Sequence, residues 1–171
     1  MTQGPSGTKF QTAALVTLRV LVGWHFLYEG LAKLFNPYWT SAEYMNQASW
    51  LFSGLFQRLA ASPTAVMVVD FLNMWGLALI GAGLLVGLLT RTATISGLVL
   101  LVLYYIVAPP FPGLQTGMPA EGSYLVVNKV LIEAAAMLVL LAFPTGHLYG
   151  LDALVSRKRG AAYRAPERAS A

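Results

Sequence analysis

Four apolar runs, at about residues 10 to 35, 64 to 89, 92 to 109 and 124 to 143, set the terms on which this chain can fold. Each is close to the roughly 20 residues of helix that cross a hydrocarbon layer of about 30 Å. Lipid offers backbone N–H and C=O groups no partner, so such runs must satisfy their own hydrogen bonds as helices. The expected fold is all-α, an integral membrane four-helix bundle. Composition agrees: 57% of the residues are hydrophobic and 11% charged, beyond what a soluble domain of 171 residues needs for its core.

Three regions are expected. Residues 1–9 are polar with Gly and Pro and read as a flexible N-terminus; 10–156 form the four-span domain; 157–171 form a basic, disordered tail. The first run is not read as a secretory signal, because it passes into charged residues with no small-residue cleavage site. Lys9, Arg91, Arg157, Lys158, Arg159, Arg164 and Arg168 fall on one side of a four-span chain, and the opposite loops hold only Arg58. By the positive-inside rule both termini are expected to face the cytoplasm; the expected location is the inner (plasma) membrane of a bacterial or archaeal cell. The net charge of +4 then belongs beside anionic lipid rather than nucleic acid.

Between the first two runs, Trp50, Phe52, Leu55, Phe56 and Leu59 recur at near-helical spacing, with Trp39 and Tyr44 before them. That pattern predicts an extra interfacial amphipathic helix, either an aromatic anchor or a lid. In the second run Gly76, Gly81, Gly83 and Gly87 predict a centrally packed helix, with Gly83 and Gly87 as a small-xxx-small pair. Pro109, Pro110 and Pro112 end the third run. After Pro144 and Gly146, the residues Leu148, Leu151, Leu154 and Val155 suggest a short amphipathic segment.

The first run, "LRVLVGWHFLYEGLAKLF", carries Arg19, His25, Glu29 and Lys33. At about 1.5 Å per residue Arg19 lies about 14 Å into the membrane, and the other three climb toward the outer face. His25, Glu29 and Lys33 follow at i, i+4 and i+8, one stripe of a helix. Asp70 and Asn73 in the second run, Tyr104 and Tyr105 in the third, and Asn128, Lys129 and Glu133 in the fourth fall at a similar level. An ionised side chain at the centre of a membrane costs about 2.5 to 3.5 kcal/mol or more unless paired or hydrated. Arg19, Lys33 and Lys129 are therefore expected to gather with Glu29, Asp70 and Glu133 in one interhelical cluster. His25 with Glu29 is the favoured proton-transfer pair, followed by Glu133 and Asp70.

Other chemistries find less support. The sequence has no cysteine, which excludes disulfides and thiolate ligands. His25 and His147 lie at different levels, so one haem cannot join them. Lys33 and Lys129 argue against a carboxylate metal site, and no metal is expected. Phosphate loops, nucleophile elbows and HExxH motifs do not occur.

The first run, with Arg19, Gly23, Phe26, Gly30 and Lys33, resembles the first span of the DoxX family. The stretch "GLALIGAGLLVGLLTRTATISGLVLLVLYY" is similar to that family's Gly-rich helix, its short turn and the span after it. The likeness runs over about residues 15 to 150. It implies a small four-helix inner-membrane protein. The family's name comes from a subunit of a thiosulfate:quinone oxidoreductase, which implies a quinone and a redox partner subunit here. The long aromatic loop and the "EGSYLVVNKVLIE" stretch look like features of a subgroup.

Two readings are carried forward. In the first, the chain is a membrane subunit of a quinone-linked oxidoreductase. His25, Glu29 and Glu133 handle protons, and Arg19, Lys33, Asp70, Asn73, Tyr104, Tyr105, Asn128 and Lys129 line the headgroup site. In the second it is a non-catalytic scaffold, or a small-solute transporter, whose polar cluster fixes helix packing; with four spans a transporter would have to form a homo-oligomer.

Overall fold

A computed structural model describes residues 9–111, 125–146 and 149–153. Its elements are all helices: α1 (Lys9–Leu34), α2 (Ala42–Asn46), α3 (Ser53–Ala60), α4 (Pro63–Val86), α5 (Thr90–Val107) and α6 (Lys129–Ala142). Three of them, α1, α4 and α5, are long and apolar enough to cross a membrane. They present Leu21, Phe71, Leu72, Leu79 and Val99 outward, a surface suited to acyl chains. The chain is a multi-pass membrane protein in contact with lipid.

The helix ends follow local chemistry. Pro63 opens α4 at the position where a helix has no use for an N–H, and the Ser62 hydroxyl accepts a hydrogen bond from the Ala65 N–H. At the other end Gly87 takes the left-handed conformation (φ 68°), and the Leu88 N–H reaches the Gly83 carbonyl at 2.9 Å. Of the pair read as small-xxx-small, Gly87 is thus a helix stop, and it is also closely packed, since a Cβ there would lie 2.6 Å from the Gly150 Cα. The fourth apolar run also differs from expectation. Its helix begins at Lys129, because the Asn128 side chain turns back to accept from the Leu131 N–H at 2.9 Å. The resulting 14 residues rise about 21 Å.

Close approach of backbones joins α1 to α4, which run antiparallel. A Cβ on Gly81 would overlap the backbone of Leu27, and one on Gly30 would sit 2.5 Å from the Ala78 nitrogen. Gly76, by contrast, meets nothing within 4 Å. Phe26 and Met137 lie at the centre of the core with Leu77, Ile80, Leu84, Leu101 and Leu140. Gly97 leaves the space into which the Met137 side chain inserts. The contact between α1 and α6 is much lighter than that between α1 and α4, which leaves a seam along α1.

The aromatic segment expected as one helix is two. Phe52 adopts φ 63° and breaks the chain between α2 and α3, leaving Trp50 in the turn. Met45 of α2 is buried, whereas α3 buries no residue. The bundle has two ends: a proximal end at the turn of residues 87–89 and a distal end at α2 and the start of α6. The expectations for residues 1–8, Pro112, His147, Leu148, Leu154, Val155 and the basic tail lie outside the described residues.

Candidate functional site

In the distal half, the helical stripe on α1 meets α6 across the light seam. His25 Nδ1 and Glu133 Oε1 are 2.6 Å apart, and the His25 side chain is 49% exposed against 14% for Glu133. One turn further, Glu29 accepts from the Lys33 ammonium at 2.5 Å, and that ammonium lies over the Trp39 ring at 5.6 Å from its centroid. The spacing on α1 suggested His25 with Glu29. The fold instead gives His25 to Glu133 and Glu29 to Lys33, because a neighbouring helix can bring a carboxylate to the imidazole more directly than the next turn can. Lys129 lies close enough to act on both His25 and Glu29, and Tyr104 on Glu29 and Glu133.

Behind this row stands a second set of polar contacts. Asn73 of α4, buried, donates from its amide to the Tyr104 hydroxyl at 2.6 Å, while its Oδ1 has no partner among the described residues. Tyr44 of α2 donates its hydroxyl to the Tyr104 carbonyl at 2.8 Å, its ring edge-on to that of Tyr104. Burial pushes the Tyr44 phenol above its ordinary value, which keeps it a neutral donor. Tyr44 ties the short α2 over the distal end. The spacing of apolar residues marked it only as an amphipathic ring.

Three expected site residues serve the backbone. Asp70 accepts the Ser41 N–H at 2.7 Å, holding the chain just before α2. Asn128 starts α6 as described, and Tyr105 donates its hydroxyl to the Val126 carbonyl at 2.7 Å. Phe111 bridges Tyr105 and Trp50, with ring centroids 6.3 Å and 5.0 Å away. Among the described residues no three His, Asp or Glu side chains come together as a metal ion would need.

Arg19 does not join the distal cluster. It is 4% exposed at the proximal end, where it donates to the Thr145 hydroxyl at 3.1 Å and the Tyr149 carbonyl at 2.6 Å. Counting depth from Phe10 put it near mid-membrane. In the fold, α4 ends and α5 begins at its level, so the first two or so turns of α1 extend past the other helices. Its electrostatic partner is Asp152, whose oxygens accept from the Leu89 and Thr90 N–H groups at 2.8 and 3.1 Å and from the Thr90 hydroxyl. Asp152 and Thr145 escaped the sequence reading, since only the fold returns the chain after α6 to this turn.

The helices that carry these side chains can now be compared with known proteins. The DoxX family pattern matches residues 14–109, more than half of the chain. The chain belongs to the DoxX family. Comparison with curated proteins and with solved structures finds no match. In this DoxX protein the matched region runs from α1 to the end of α5. It holds His25, Glu29, Lys33, Asp70, Asn73, Tyr104 and Tyr105. Asn128, Lys129 and Glu133 lie beyond it, so the carboxylate that meets His25 comes from the part of the chain outside the match.

Proposed function

We propose that this DoxX protein is a membrane subunit of a quinone-linked oxidoreductase in the inner membrane, with a quinone headgroup bound at the seam between α1 and α6. In this reading α6 completes a four-helix bundle, the termini and Arg91 face the cytoplasm, and the distal end, covered by α2 and α3 at the interface, faces outward. The observation that carries it is the His25–Glu133 hydrogen bond of 2.6 Å, with His25 half-exposed on the side of a helix bundle that presents many apolar side chains outward. Ionisable groups at such depth are expensive and mark proton or substrate paths.

The chemistry assigns roles. Reducing a quinone takes two electrons and two protons. The electrons come from the compound oxidised at a partner subunit, since this cysteine-free chain has no dithiol to relay them. His25 and Glu133 would donate each of the two protons in turn to the headgroup oxygens, and Glu29 and Lys33, one and two turns distal on α1, would reload the pair from the surface after each transfer. Lys129 offers an ammonium to an anionic oxygen, and Tyr104, backed by Asn73, closes the inner wall.

The competing reading is a non-catalytic scaffold or a small-solute transporter, favoured by Asp70 and Asn128, which act on backbone rather than on an open site. Glu133→Gln and Glu29→Gln, tested singly and together in native membranes with the partner present, separate the two. The quinone reading expects turnover to fall about 10²- to 10⁴-fold while the folded protein stays in the membrane. Unchanged turnover with both replaced, or loss of the folded bundle and of partner recovery alone, points to a scaffold.

A further inference from the structure

A cleft at the proximal end, away from the quinone site, is lined by Arg19, Arg91 and Thr145 together with Leu140, Leu141 and Pro144. Its deepest cation is unusual. Arg19 is 4% exposed and two of its nitrogens are hydrogen-bonded, yet the buried Nε has no acceptor among the described residues. A guanidinium buried with one donor unmet is prepared for an oxygen ligand, because each N–H taken from water requires an acceptor. Asp152 acts on Arg19 electrostatically, but its oxygens accept from Leu89 and Thr90. Arg19 and, on the rim, the exposed Arg91 are the charged side chains that line the cleft among the described residues.

Guanidinium groups bind phosphate through paired N–H donors. The lining leucines and proline add something a free ion does not need: apolar surface beside the cations, at the level where membrane helices end. We propose that this cleft binds the phosphate of an anionic phospholipid, with Arg19 and Arg91 on the phosphate and Leu141 and Pro144 against the start of an acyl chain. The site is independent of the quinone reading. It anchors the proximal end of the bundle to one leaflet.

The test uses the full chain in detergent, mixed with phosphatidylglycerol or with phosphatidylcholine, and reads retained lipid by native mass spectrometry. Phosphatidylglycerol should be retained in preference, and Arg91→Gln should lower that retention about fivefold, the effect of one cation near an anionic headgroup. Arg91 is exposed, so this variant keeps the fold, and circular dichroism checks it. Arg19→Lys keeps the charge but loses the fork of donors, and should reduce retention in protein that remains helical. Equal retention of the two lipids, or no change in Arg91→Gln, overturns the proposal. So does complete displacement of phosphatidylglycerol by excess inorganic phosphate, which would make the cleft a free-anion site.

Discussion

His25 on α1 and Glu133 on α6 are joined by a 2.6 Å hydrogen bond across a seam much more lightly packed than that between α1 and α4. It links two helices that share few other contacts, so it contributes both to their register and to the ionisable character of the seam. Hydrogen bonds between membrane helices contribute about 0.6 kcal/mol on average and up to about 1.7. A double-mutant cycle with His25→Ala and Glu133→Gln, read by thermal unfolding in detergent, should give a coupling within that range. A coupling of zero would show that the two side chains do not meet in the membrane.

The glycines of the α1–α4 interface make a contrasting pair. Gly30→Ala places a methyl against the Ala78 backbone, which cannot move aside as a side chain tip would. Destabilisation of about 1 to 3 kcal/mol is expected. Gly76→Ala meets no atom and should be neutral or stabilising by up to about 1 kcal/mol, since alanine loses less entropy in a helix. Melting temperatures of the two variants in the same detergent decide whether this interface is as close as described.

Asp152 holds the α4–α5 turn through the Leu89 and Thr90 amides, and Leu89 itself sits at φ 50°. Asp152→Ala removes the cap of α5 and should cost about 1 to 2 kcal/mol. Hydrogen exchange at Leu89 and Thr90 should rise while exchange at Phe26 in the core stays slow.

Tyr44 supplies a pH prediction. Its phenol is raised by burial, so between the ordinary value of about 10 and the higher folded value the unfolded chain loses a proton that the folded chain keeps. Its contribution to stability is complete below about pH 10 and declines as pH rises through the folded value. In an absorbance titration, wild type and Tyr44→Phe should show the same phenolate signal near pH 10. The wild type should gain one more phenolate only at higher pH, with release of α2.

Sequence periodicity showed that the chain is helical and membrane-embedded, and it put His25, Glu29 and Lys33 on one stripe, because hydrophobic length and the i, i+4 repeat are local properties. It could not choose partners. His25 reaches Glu133 instead of Glu29, and Asp70 turns to the Ser41 backbone, since these contacts depend on how helices distant in sequence rotate against each other. Arg19 stands apart from the distal cluster for a related reason: counting from the start of α1 assumes that all helices end together. The amino-acid pattern alone determined which segments leave water, as the cost of burying backbone and charge is paid residue by residue. The tertiary structure decided which polar groups meet there, because only packing brings Gly81 onto Leu27, Glu133 onto His25 and Asp152 onto Thr90.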